Sequence, residues 1–127
     1  MNALDELAAA LREEDSPLST HLVDAAPGGA TDGEYALLFE SIREGYLLHY
    51  EQSRLLAGHD DDLALLAGDY LYALGLARLS AYGDDQAVAL LADLIGECAR
   101  LHAEGRGEEA PLLWERAAEE LGLSSVS

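Results

Sequence analysis

Lysine is absent from this chain of 127 residues, whose seven basic residues are all arginines. Against 25 acidic residues they leave a formal net charge of −18. This balance argues against nucleic-acid binding, which depends on clustered cations, and it predicts repulsion from anionic membrane surfaces. Three explanations of the acidity remain open: a solvated surface kept soluble by like charge, a basic partner, or adaptation to high salt.

Cysteine, phenylalanine and tryptophan each occur once. The single Cys98 excludes an intramolecular disulfide, and no second ligand pair completes a zinc site with Cys98 and His102. The N-terminal residues are acidic and amphipathic, whereas a signal peptide begins basic and continues apolar. No apolar run is expected to be long enough to span a bilayer. The sequence therefore predicts a cytoplasmic protein without membrane insertion.

The residues that are abundant are alanine and leucine, which favour helix over sheet. Their spacing predicts one all-α domain over residues 1–127, a small antiparallel helical bundle of four main helices plus a short N-terminal helix. The short helix covers Ala3–Glu13, and the main helices cover residues 33–57, 61–82, 85–104 and 108–122. Residues 14–32 are predicted to form a loop and residues 123–127 a frayed tail. Glycines are expected to end the four main helices in left-handed caps, at Gly58, Gly83, Gly105 and Gly122.

Residues 61–82 are the most continuously apolar stretch. A helix that is apolar on every face must be surrounded by other helices, so this helix is predicted to lie at the centre of the bundle. Tyr70 and Tyr72 point to different sides of it, and one of them is a candidate for contact with a partner.

The acidic clusters have a structural interpretation. Asp60, Asp61 and Asp62, like the acids at 84–85 and 108–109, fall at predicted helix starts, where carboxylates cap free amides and oppose the helix dipole. We therefore predict no metal site. The alternative is that Asp60, Asp61 and Asp62 bind Mg²⁺.

The segment Ala67-Gly68-Asp69-Tyr70-Leu71, with the helix that follows it, resembles the middle of all-trans polyprenyl diphosphate synthases. The closer similarity is to the non-catalytic small subunit of two-component heptaprenyl diphosphate synthases, and it covers about a third of the chain. Catalysis in that family uses two DDxxD motifs that hold magnesium and an allylic diphosphate. The acidic pairs at 60–61 and 84–85 both lack the final aspartate, so the resemblance implies an accessory subunit, with no catalytic residues.

Asp69 is predicted to be carried into or beside the core by Gly68, which permits close helix approach. An unpaired buried carboxylate is costly, so Asp69 needs a partner. The expected partners are Arg43, Arg54, Tyr46 or Tyr50, in a pair that fixes the register of the helices. The alternative is a ligand-binding site, with the candidate residues Asp69, Tyr46, Tyr50, Tyr70, Arg43 and Arg54.

Two functions remain. The first is a non-catalytic protein that acts by association, as a homodimer or with a protein partner, with a possible isoprenoid ligand. The second is a magnesium-dependent enzyme or carrier for an isoprenoid or diphosphate.

Overall fold

The fold is all-helical. The computed structural model describes residues 3–13, 30–32, 35–58 and 60–126, with backbone only for 30–32 and 124–126. The five α-helices in these ranges are α1 (Ala3–Glu13), α2 (Ala36–Tyr50), α3 (Asp61–Ala81), α4 (Asp85–Ala103) and α5 (Ala110–Glu120), with a short 3₁₀ helix at Gly107–Glu109. The helical bundle expected from composition and spacing is confirmed.

The predicted loop and the predicted tail each contribute one strand to a small antiparallel sheet. Strand β1 (Ala30–Asp32) pairs with β2 (Ser124–Val126), with Ala30 opposite Val126. The prediction of a frayed tail is therefore wrong for 124–126, because strand pairing supplies hydrogen-bond partners for the backbone of this segment. The predicted loop likewise ends in a strand, at 30–32. Residues 14–29, the rest of that loop, lie outside the described residues.

Helix α2, and not α3, lies at the centre. Ten of the fifteen α2 residues are buried, and Phe39 and Ile42 are completely inaccessible. Only six of the twenty-one α3 residues are buried, all on the side that meets α2. The predicted position of residues 61–82 was wrong because alanine and leucine fill every face of that helix, so its composition does not mark which face is covered.

The second helix is shorter than predicted. It ends at Tyr50 rather than Ala57, since the chain turns back at Glu51 and the side chain of Glu44 binds the following segment. Gly58 has a positive φ of 73° but lies in this connection, so it does not cap α2. The other three predicted glycine caps have positive φ at the expected helix ends.

The starts of α3 and α4 follow the capping prediction, but α5 begins without a side-chain cap, because Glu109 accepts a hydrogen bond from Arg106 instead. Asp60 accepts a hydrogen bond from the Leu63 amide at 2.8 Å, and Asp84 accepts one from the Ala87 amide at 3.0 Å. Each cap satisfies a backbone donor that the helix leaves open.

Two hydrophobic clusters form the core. One joins α2, α4 and α5 around Phe39, Leu91 and Trp114. The other joins α1, α3 and the segment after α2, and it includes Leu4 and Leu11 of α1, which are completely buried. The N-terminal helix therefore contributes a full apolar face to the core.

Helix α3 has the length and hydropathy to cross a membrane, since 18 of its residues have a mean hydropathy of 1.2, and 33% of these residues are buried. The prediction that no apolar run reaches this length is thus wrong. Among the described residues, α3 is the one helix with these properties. A single helix of this kind is weak evidence for a membrane protein, because core helices of soluble proteins reach the same length and hydropathy.

Candidate functional site

Two charged side chains are completely buried in α2. Glu40 and Glu44 have no accessible surface, and both are bound by Arg54 from the segment after α2. The guanidinium of Arg54 donates to Glu40 at 2.6 Å through Nη2 and to Glu44 at 2.7 Å through Nε. Arg43 donates to Glu40 from the solvent side at 2.8 Å. We call these four residues the buried ion-pair cluster.

The buried ion-pair cluster fixes the path of the chain after α2. Ser53 donates a hydrogen bond to Glu44 at 2.5 Å, and the Ser53 hydroxyl accepts hydrogen bonds from the amides of Leu55 and Leu56. Leu55 and Leu56 are buried in the second hydrophobic cluster. The cluster thus anchors the connection that leads into α3.

Electrostatics keeps Glu40 and Arg54 ionised. Burial raises the pKa of Glu40, but Arg43 and Arg54 outweigh burial and hold that pKa below its usual value. Burial lowers the pKa of Arg54, and Glu40 and Glu44 more than reverse this change. Both partners therefore stay charged near neutral pH, where the opposite charges compensate the cost of desolvation.

An open groove of about 540 Å³ lies between α2 and α5, beside the cluster. Arg43, Tyr46 and Arg54 line it together with Trp114. Of the six predicted ligand-binding residues, three therefore lie along one cavity. Glu51 and Glu115 also line this cavity.

Tyr46 and Tyr50 enclose His102 from α4. The Tyr46 hydroxyl lies 2.7 Å from Nε2 of His102, and the Tyr50 ring stacks on the imidazole with centroids 4.3 Å apart. Burial raises the pKa of Tyr46 to about 12. These tyrosines therefore join α2 to α4, and Tyr50 does not line the groove.

Asp69 does not enter the core. Its side chain is 71% exposed, and Oδ1 lies 3.0 Å from Nε2 of His49 without the geometry of a hydrogen bond. The predicted pairing of Asp69 with Arg43, Arg54, Tyr46 or Tyr50 is wrong. The reason is helical phase: Gly68 faces α2, so the next residue is rotated about 100° away from that contact.

The prediction for Gly68 itself is confirmed. A methyl group at this position would lie 3.0 Å from the carbonyl oxygen of Gly45 and would overlap the ring of His49. Gly45 and Gly75 are equally confined, and Ser41 donates a buried hydrogen bond to the Leu71 carbonyl oxygen at 2.9 Å. Helices α2 and α3 therefore meet backbone to backbone.

Asp60, Asp61 and Asp62 lie at the exposed start of α3. Asp60 acts as the helix cap, and no group of three or more potential metal ligands occurs among the described residues. Asp60 therefore caps α3, and Asp61 and Asp62 lie in its first turn near the positive end of the helix dipole; neither role depends on a cation.

The side of α3 that points away from α2 is exposed and carries apolar residues together with Asp62 and Asp69. Leu66 is 68% exposed, Leu65 50% and Tyr70 39%. Ala73 and Ala77 continue the same side toward the end of the helix and are also exposed. We call these five residues the outer face of α3. Tyr72, in contrast, stacks on His49 with centroids 5.3 Å apart.

Sequence reasoning missed the buried carboxylates. The available signal was Glu40, Arg43 and Glu44 at i, i+3 and i+4 within a strongly apolar helix, a spacing that places them on one face. Charged residues are usually exposed, so their burial could be recognised only once α2 was known to be central.

No family model matches this chain, and neither a curated protein nor a solved structure does so.

Proposed function

We propose that this is a cytoplasmic, non-catalytic helical protein that works by association, and that the outer face of α3 is its contact surface. The observation that carries the proposal is the exposure of three large apolar side chains, Leu65, Leu66 and Tyr70, within two turns of one helix. Removing such side chains from water is worth about 25 cal/mol per Å² of apolar area, and tyrosine is enriched at protein interfaces.

The resemblance of residues 67–71 to the small subunit of heptaprenyl diphosphate synthases agrees with this role. An accessory subunit needs an exposed contact surface and a rigid helix to carry it. Here α3 is held rigidly on α2 by the glycine contacts, while its other side remains accessible.

Binding of an isoprenoid diphosphate with magnesium is less favoured. Both arginines beside the groove are engaged by buried carboxylates. Glu51 and Glu115 line the groove as well. A diphosphate would enter a site whose nearby formal charge is negative, and the attraction that anion sites depend on would be missing.

A matched pair of substitutions tests the proposal. Leu66→Glu places a charge on the outer face of α3, and Leu112→Glu places the same charge on α5, where leucine is 50% exposed. We expect size-exclusion chromatography with light scattering to detect self-association of the unsubstituted chain and of Leu112→Glu at high concentration. Leu66→Glu should remain monomeric. Equal behaviour of the two variants would contradict the assignment of this surface.

A further inference from the structure

The groove between α2 and α5 carries one acidic side chain on each wall. Glu51 directly follows α2 and Glu115 lies on α5; both line the groove and both are exposed. Among the residues that the structure describes, no arginine or histidine forms an ion pair with either carboxylate. Both carboxylates are therefore available to a ligand that enters the groove.

The arginines of the groove do not balance these two acids. Arg43 and Arg54 line the groove, but their charges are matched by the carboxylates of Glu40 and Glu44 within the buried ion-pair cluster. The cluster as a whole is therefore formally neutral, and the charge left along the groove is that of its two acidic walls. Such a groove attracts cations and repels anions.

The end of α2 contributes in the same direction. This helix of 15 residues ends at Tyr50, and Leu47 in its last turn lines the groove. The carbonyl groups of a last turn have no partners within the helix, and they form the negative end of the helix dipole. A cation in the groove is therefore favoured by the backbone of α2 as well as by the two acidic side chains.

The remaining lining of the groove is largely apolar. Leu47 is half-buried and Pro111 is exposed, and the buried side chains of Tyr46 and Trp114 complete this part of the surface. The Tyr46 hydroxyl is already engaged by His102. The volume of about 540 Å³ lies within the range of roughly 300–1,000 Å³ that is typical of small-molecule sites. The lining thus suits a ligand with hydrocarbon between its charges.

From these observations we propose that the groove binds a small aliphatic cation with at least two protonated amino groups, a diamine or a polyamine. One ammonium group pairs with Glu51 and another with Glu115, while the methylene groups between them pack against Leu47 and Pro111. This site is separate from the outer face of α3, and the proposal does not depend on association of the chain.

Calorimetric titration with putrescine and spermidine tests the proposal. Because the chain has a net charge of −18, any cation collects around it, so magnesium chloride at equal ionic strength is the reference. We expect saturable binding of one amine molecule per chain, and no saturable binding of magnesium. Butylamine, which carries a single ammonium group, should bind more weakly than putrescine.

A matched pair of substitutions on α5 locates the binding. Glu115→Gln removes one acidic wall, and Glu119→Gln removes an equally exposed carboxylate one turn further along, outside the groove. Both positions are at the surface, so both variants should fold, which circular dichroism verifies. Losing a hydrogen bond to a charged group should weaken spermidine binding to Glu115→Gln about tenfold. Binding to Glu119→Gln should be nearly unchanged.

Three results would overturn the inference. Absence of saturable amine binding would refute the site itself. Equal weakening by the two substitutions would show that the amines act only as counter-ions of an acidic surface. Equal affinity for butylamine and putrescine would refute recognition by both walls. All three results would leave the proposed association through α3 standing, because that surface takes no part in the titration.

Discussion

At the scale of single residues, the most consequential feature is the pairing of Glu40 and Glu44 with Arg54. Both carboxylates have no accessible surface. An ion pair of this kind is weak evidence for net stability, but removing one partner leaves a buried charge without compensation and costs about 3–5 kcal/mol. The main effect of the cluster is on the path of the chain after α2, because only a path that brings Ser53 and Arg54 to Glu44 compensates the buried carboxylates.

Substituting Glu40 by glutamine should lower the free energy of unfolding at pH 7 by about 3 kcal/mol. The amide keeps the shape of the side chain but leaves Arg43 and Arg54 with one carboxylate fewer. Urea unfolding followed by circular dichroism measures the change. Glu97→Gln is the matched control, because Glu97 pairs with Arg100 on the surface, where such pairs contribute about 0–1 kcal/mol. Equal losses in the two variants would contradict this account.

The effect of Glu40 should also depend on pH. The arginines hold its folded pKa below the usual value, so its contribution is fully present above the unfolded pKa of about 4.3. As pH falls through the folded pKa, protonation removes that contribution. The difference between the unsubstituted chain and Glu40→Gln should therefore shrink in acid. A difference that grows below pH 4 would be inconsistent with a depressed pKa.

At the scale of helices, the contact between α2 and α3 organises the fold. Glycines on both helices allow their backbones to approach closely, and this contact sets the rotation of α3. That rotation buries Leu71 and leaves Leu66 and Tyr70 at the surface.

Two glycine-to-alanine substitutions in helices should have opposite effects. At Gly68 the new methyl group meets His49 and the Gly45 carbonyl, and overpacking of this kind costs about 1–3 kcal/mol. At Gly96 no atom lies within 4 Å of the added carbon, so alanine should stabilise α4 by about 0.5–1 kcal/mol. Thermal unfolding of both variants measures this contrast, and stabilisation by Gly68→Ala would show that the helices do not meet at this glycine.

Much of the helix pattern could be predicted from sequence, because local signals set it. The caps at Asp60 and Asp84 and the turn at Gly83 depend on residues close in the chain. The end of α2 could not be predicted, since helical spacing continues past Tyr50 and the interruption comes from Glu44 binding Arg54. Which side of α3 is exposed could not be predicted either, because alanine and leucine occupy both sides of this helix.

At the scale of the whole molecule, charge opposes association while apolar surface favours it. A net charge of −18 on 127 residues produces repulsion both within one chain and between copies. Salt screens this repulsion, with a Debye length of about 10 Å at 0.1 M, and leaves apolar burial nearly unchanged. Added salt should therefore strengthen self-association through apolar surface. Self-association that depended on ion pairs between the copies would instead weaken as salt is added.

The most direct test is sedimentation equilibrium of the full chain over a concentration series, at about 0.05 M and 0.5 M sodium chloride. The account predicts an average mass that rises from 13.6 kDa toward twice that value, with tighter association at the higher salt concentration. A mass that stays at 13.6 kDa at every protein and salt concentration would contradict the claim that α3 associates with a second copy.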